Sequence, residues 1–227
     1  CYLRSQYNRS EQMDPPFFRE LLRTAFKDKD YQTNLLARAV APLDRFFAGL
    51  HTLSAQFDQT IVDTQGQVTQ SAGGRLSIQR PGKFRWDYDT PYKQLVLGDG
   101  EELWTYDADL EQATVKPQSD ALAGTPALLL SAQEQPGELF TVTALPARDG
   151  EQWFELTPKT DKTLGDTQFN QLRLGFADDV LVAMELVDGF DQTTQIRFSD
   201  LRRNGPLAAG LFSFTPPDGV DVIGTAP

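Results

Sequence analysis

The chain has 227 residues, 40% of them hydrophobic, with 21 Lys and Arg against 32 Asp and Glu. A formal net charge of -11 repels phosphate backbones and anionic headgroups, so nucleic acid is set aside as a partner. No window approaches the 18 apolar residues that a membrane-crossing helix needs, and the length suits one all-β domain or two small ones, ample for a large core.

Charge divides the chain. Residues 1–40 carry seven Lys and Arg and five Asp and Glu, while the remaining 187 carry 14 and 27. The first 40 therefore read as a separate extension and residues 41–227 as the main domain. Within the extension, Asp14 followed by Pro15 and FFRELLRTAF predicts a helix over Phe17–Phe26 with one broad apolar face. Arg19, Glu20 and Arg23 interrupt every apolar run, so a secretory h-region is missing, although Ala39-Val40-Ala41 has the small-x-small form of a cleavage site.

Pro42 to Gln56 reads as a second amphipathic helix, from Leu43, Phe46, Phe47, Leu50 and Leu53. The period then switches to two over Phe57, Gln59 and Ile61, and again over Gly74 to Gln79. From Arg80 to Val115 the pattern is an antiparallel meander. Phe84, Trp86 and Tyr88 share one face of it, and Asp99-Gly100 is a hairpin signal. Ser119 to Gln133 breaks the β pattern with a short, greasy helical insertion punctuated by Gly124 and Pro126. Strands resume at Leu139–Leu145, Trp153–Thr157, Asn170–Phe176, Val180–Val187 and Thr193–Phe198, and FSFTPPDGVDVI predicts a strand, a double-proline turn and a last strand. The expected architecture is mainly β with a few helices, about eleven strands in one antiparallel sheet that must curl.

Catalytic signatures are sparse. The sequence holds no GxSxG elbow, Walker loop, dinucleotide fingerprint or HExxH helix. Its one histidine, His51, and one cysteine, Cys1, leave most triads and any Cys/His zinc site without parts, so no catalytic residue, metal or cofactor is expected. Asp107-Ala108-Asp109 is taken as a turn rather than a cation site. A pair of facing carboxylates stays open, since nothing singles one out.

A curled sheet with aromatics inside has two outcomes. Helices either plug it completely or form a lid over a cavity. At this point a resemblance enters. The runs RPGKFRWDYDTPYKQLVLGDGEELWTYDADLEQATV, TPALLL and FTPPDGV follow the order RPxxFxW, DGxxLWxYD, FTPPxGV. Over residues 41–227 the chain resembles the periplasmic outer-membrane lipoprotein carriers of Gram-negative bacteria, the LolA family.

That resemblance implies an incomplete antiparallel barrel under a helical lid and no enzyme activity. It implies a chaperone that binds the acyl chains of lipoproteins released from the inner membrane by the ABC transporter LolCDE. The cargo is delivered to LolB, an outer-membrane receptor of the same fold. The carrier works as a monomer in the periplasm. Carried over by position, the lipid-binding residues are Phe47, Leu50, Phe57, Phe84, Trp86, Tyr88, Val96 and Leu128. Arg80 is the lid latch, with main-chain acceptors expected near Ala121–Leu130; a guanidinium, with five donors in a fixed fork, suits several carbonyls at once. Three rivals remain: the receptor lipoprotein anchored through Cys1, an enzyme with two buried carboxylates, and a module whose interior is solidly packed.

Overall fold

Strand boundaries follow the alternation of inward and outward side chains. A computed structural model of the chain describes residues 42–121, 126–159 and 169–224. The expected helix over Phe17–Phe26, Cys1 and the rest of the leading extension lie outside the described residues, as does the side chain of Leu128.

The helix expected from Pro42 to Gln56 is shorter. Helix α1 covers residues 42–47, Gly49 follows in the left-handed region at φ +63°, and strand β1 (Thr52–Val62) begins three residues later. A positive-φ glycine ends a helix at low cost. Leu53, Ala55 and Phe57 are buried and Gln56 is exposed, so the two-residue period already operates at Leu53, where apolar spacing imitates a helix.

The meander forms as expected from β2 (Val68–Gln79), β3 (Lys83–Thr90), β4 (Gln94–Asp99), β5 (Glu102–Asp107) and β6 (Gln112–Pro117). Short helices α2 (Gln118–Ala121), α3 (Pro126–Ser131) and α4 (Pro136–Leu139) interrupt it. Strands β7 (Phe140–Arg148), β8 (Glu151–Pro158), β9 (Phe169–Ala177), β10 (Val180–Asp188), β11 (Thr193–Arg203) and β12 (Asp221–Ile223) complete the fold. Asp107 closes the β5–β6 turn, its Oδ1 accepting the amides of Asp109 (3.0 Å) and Leu110 (3.1 Å). Asp99 does the same for Glu101 and Glu102. These carboxylates are turn-makers.

Twelve strands, one more than expected, lie in a single open sheet ordered β12-β6-β5-β4-β3-β2-β1-β11-β10-β9-β8-β7. All neighbours are antiparallel except β12, which runs parallel to β6. Phe84 of β3, Phe57 of β1, Phe198 of β11 and Phe154 of β8 nonetheless belong to one buried cluster. Strands so far apart in the order can share a core only if the sheet curls around it. Leu43, Phe46 and Phe47 of α1 and Leu129 and Leu130 of α3 fill the concave side.

The predicted FSF strand is absent. Residues 204–220 instead form an irregular strap that leaves β11, crosses the convex face and delivers β12 to the far edge. Arg85 donates to the carbonyl of Leu211 at 3.1 Å, and the Phe214 ring packs on Trp104 (5.6 Å) and Tyr106 (5.3 Å) of β5. Leu95, Leu97, Ala113 and Val115 share the face of those rings and are buried there. The meander is thus covered on both faces, and Phe214, the first residue of the FTPPxGV motif, packs on the second layer. Replacing it leaves a half-filled hole: Phe214→Ala is expected to lower unfolding free energy by about 1–2 kcal/mol, less than for a fully buried Phe. Urea denaturation measures this, and an unchanged midpoint would contradict the packing role of the strap.

Candidate functional site

The curled sheet has two unlike ends. Arg80, Pro81 and Gly82 form the β2–β3 turn at one end. The β1–β2, β3–β4, β5–β6 and β10–β11 turns lie at the other.

At the first end, Arg80 reaches over the concave side. Its Nε donates to the carbonyl of Ala132, its Nη2 to that of Glu134 at 2.9 Å, and its Nη1 to that of Phe47 at 3.4 Å. The guanidinium also lies 5.8 Å from the Phe47 ring centroid. One side chain therefore joins the end of α1 to the segment that follows α3. Burial draws its pKa below the ordinary value, with the Glu134 carboxylate opposing the shift. The charge persists, because an arginine starts far above physiological pH. Next to it, the Gly82 amide donates to the carbonyl of Ser131 at 2.8 Å. The acceptors lie just beyond the Ala121–Leu130 stretch expected for them, and the one on α1 is additional.

Gln118 supports this turn from below. It is only 4% exposed, yet both ends of its amide are used: Nε2 donates to the carbonyl of Gly82 at 2.7 Å and Oε1 accepts the amide of Gly100 at 3.0 Å. Gly98 has no room for a Cβ, which would lie 2.5 Å from Gln118 Oε1 and 2.3 Å from the Phe84 ring. The start of α2 is thereby pinned to the turns that flank β3 and β4.

The two helical pieces are held differently. Helix α1 is tied to the sheet by polar groups. Arg45 grips Asp179 through two hydrogen bonds of 2.7 and 2.8 Å. Arg203 donates to the carbonyls of Arg45 and Ala48, and its guanidinium stacks 5.0 Å from the Phe46 ring. Asn204 donates to Gly49 and accepts from the amides of His51 and Thr52. A cation and an amide at a helix C-terminus satisfy its orphan carbonyls. His51 is exposed in this linker. By contrast, Leu129 and Leu130 of α3 sit in the core through apolar packing, with Arg80 and Gly82 at the segment's end.

Side chains of α1 and α3 pack between these pieces and the sheet. Phe47, Leu50, Phe57, Phe84 and Trp86 are each at most 5% exposed and belong to one cluster. Rings from α1 and leucines from α3 pack against them, and Phe47 and Leu50 also line a cleft of about 280 Å³ beside Arg80 and Gln133. Phe57 packs edge-on against Trp86 (4.8 Å) and Tyr88 (5.1 Å).

A further open volume adjoins that cluster. A cleft of about 690 Å³ lies at the second end of the sheet, with Tyr88 and Val96 in its wall, joined by Gln59, Gln70, Ala72 and Gln94. The Tyr88 hydroxyl donates to Gln59 Oε1 at 3.3 Å; burial raises its pKa, so it stays neutral. Such a volume is in the range of ligand pockets. Among the eight expected lining residues, five belong to the core cluster, Phe47 and Leu50 of these also lining the smaller cleft, two line this cleft, and the side chain of Leu128 is not described.

Residues 48–215 match the family profile of the outer membrane lipoprotein carrier protein LolA. The chain belongs to the LolA family. An outer-membrane lipoprotein carrier protein of Dechloromonas aromatica (strain RCB) is 44% identical over 188 residues, covering 83% of this chain and 88% of the relative. One from Methylobacillus flagellatus is 43% identical and covers 83% and 90%. The fold is shared, at 11% identity and a TM-score of 0.50, with an uncharacterized conserved protein from Thermus thermophilus, over 83% of this chain and 98% of that one. As a member of a carrier family the protein is not an enzyme. No helix among the described residues is long and apolar enough to cross a membrane.

Sequence reasoning placed Arg80 in this LolA-family site and missed Gln118, Arg203 and Asn204. The run Arg203-Asn204-Gly205 after a strand is a turn signal, and Asn204 does adopt φ +55°. Nothing in the sequence marks Gln118, since a buried glutamine is recognised only by its partners. Gln118→Ala strands two buried backbone groups, and a loss of about 2 kcal/mol is expected. Hydrogen exchange at the Gly100 amide should accelerate. Unaltered protection there would contradict the pinning role.

Proposed function

We propose that this LolA-family protein carries lipoproteins across the periplasm by sheltering their acyl chains, taking them from LolCDE and passing them to LolB. It does so as a monomer without a cofactor, through the domain of residues 41–227, with residues 1–40 as an extension. The observation that carries this reading is the Arg80 fork, which bridges two helical pieces over an apolar interior.

The physical problem is shielding. A dozen methylenes in water cost on the order of 10 kcal/mol, so bare acyl chains would not cross an aqueous space at a useful rate. A carrier can admit them only by giving up packing of its own. Here the interior side chains of α3 are the ones that can be given up. Helix α1 is tied to the sheet by Arg45, Arg203 and Asn204, whereas Leu129 and Leu130 of α3 face the core and Arg80 and Gly82 donate to carbonyls at and beyond its end. The segment of α2, α3 and α4 is therefore the movable cover, and α1 the fixed rim against which it closes. When it lifts, Phe47, Leu50, Phe57, Phe84, Trp86 and Leu128 become the lining for acyl chains, with Tyr88 and Val96 at its lower edge. Phe46, Leu129 and Leu130, which fill the space while it is closed, exchange contacts with one another for contacts with cargo.

Arg80 tunes the exchange. Closing the cover restores its hydrogen bonds, and this gain helps to expel cargo. Three bonds from a charged but half-exposed donor contribute about 2–3 kcal/mol together, which is roughly a hundredfold on the balance of open and closed forms. Without them the open, loaded form is favoured. Arg80→Leu is expected to load normally and to transfer a lipoprotein to LolB at least tenfold more slowly. Transfer at the normal rate would remove the latch from this reading.

A further inference from the structure

We propose that the open cleft beyond Tyr88 is a separate subsite, which holds the uncharged hydrogen-bonding junction of the cargo: the ester, thioether and amide groups that join acyl chains to the first residues of the peptide. The inference rests on the carrier reading above and adds to it a second kind of chemistry.

The lining is unusual for this chain. The protein has a formal net charge of -11, yet not one residue in the wall of the 690 Å³ cleft is charged. The wall is not simply apolar either. Gln59, Gln70 and Gln94 offer amides, and Thr69, Ser71 and Thr90 lie in the same wall, between Ile61 and Val96. A surface meant only for hydrocarbon would not place three glutamines beside an aromatic core. A surface meant for a charged headgroup would include a counter-ion. Uncharged donors and acceptors in a concave wall fit uncharged carbonyls and amides.

Hydrogen-bond geometry orients these groups. Tyr88 is held by its ring contacts with Phe57 and Trp86 and uses its hydroxyl on Gln59 Oε1. That leaves the two N–H groups of Gln59 as donors for an ester or amide carbonyl. Gln94 is set the opposite way: its Nε2 donates to Asp107 at 2.7 Å, which leaves its Oε1 as an acceptor for a peptide N–H. One glutamine is thus poised to donate and the other to accept, on either side of Tyr88.

Position completes the argument. The packed cluster stops at Tyr88 and the cleft starts there. A molecule with two or three hydrocarbon chains on one glyceryl-cysteine head presents the same order of properties: apolar, then polar and neutral, then peptide. With its chains in the interior, its junction falls level with Tyr88 and its peptide leaves through the open end.

Two probes separate this subsite from the carrier reading: 11-(dansylamino)undecanoic acid, a single chain, and N-palmitoyl-S-[2,3-bis(palmitoyloxy)propyl]-cysteinyl-serine amide, which has the neutral junction. The full chain is compared with the double variant Gln59→Leu/Gln94→Leu and with Ala72→Trp, which places bulk in the cleft at a residue outside the aromatic cluster. Circular dichroism establishes that each is folded. The expected result is dansyl-acid affinity within about twofold of the unsubstituted protein and lipopeptide affinity weaker by about tenfold or more, as loss of two neutral hydrogen bonds implies. Equal lipopeptide affinity in both variants overturns the subsite, and so does a parallel loss of both probes. An unsubstituted protein that binds the dansyl acid but not the lipopeptide overturns the subsite alone. One that binds neither overturns the carrier reading, and the subsite with it.

Discussion

The arrangement depends on one planar cation. Three carbonyl groups, from Phe47, Ala132 and Glu134, converge on the fork of Arg80, and no other residue type offers donors in that geometry. A lysine would bring a single point charge and could not span the end of α1 and the segment after α3 together. The fork is useful only because its base is rigid. Gly82 and Gln118 fix the β2–β3 turn to the start of α2, and Gly98 is bare so that Gln118 and Phe84 can approach. The same turn therefore holds both the start of α2 and the segment after α3.

Asymmetry between the helical pieces follows from where polar groups are spent. Helix α1 has its last carbonyls satisfied by Arg203 and Asn204, groups of β11 and its end. Helix α3 contributes leucines to the core, and Arg80 and Gly82 meet the backbone at and just beyond its end. Apolar packing is non-directional, so one apolar surface can replace another. An acyl chain can substitute for Leu129 and Leu130 against the sheet; it cannot substitute for an arginine that caps a helix. On the proposed reading, this difference decides which element moves.

Much of the fold was legible because the strands obey a strict two-residue period. Phe84, Trp86 and Tyr88 face inward with Arg85 and Asp87 outward, and the hairpins fall at Asp99-Gly100, Asp149-Gly150 and Asp188-Gly189. Reading failed where that period was hidden. Leu50 and Leu53 share helical spacing by accident, so the first helix was drawn too long. The FSF run looked like a strand because Phe212 and Phe214 alternate, but Phe214 alternates to meet Trp104 and Tyr106 on the convex face. Leu95 and Leu97 share the face of Trp104 and Tyr106, where they are buried on the convex side. The site was legible at Arg80 through its motif. Gln118 and Asn204 act through partners more than fifteen residues away, and a linear pattern carries no trace of such partners.

On the proposed reading, the packing of α1 and α3 side chains against the sheet bears on what a carrier must be when empty. A permanent apolar cavity of the size that acyl chains need would leave its lining without partner atoms and would cost stability in proportion to its volume. Chains of this kind also risk association through exposed apolar surface. On the proposed reading both costs are lessened by the protein's own side chains, Phe46 and Phe47 from α1 and Leu129 and Leu130 from α3. Cargo then competes with the protein's own side chains, and the affinity that results is a difference between two apolar packings. Differences of that kind are small and tunable, so a few hydrogen bonds at Arg80 can decide whether the cavity is kept or surrendered. A packed core in the closed form is for this reason no argument against a carrier. It is the state to which a carrier with a displaceable cover returns once its cargo has left.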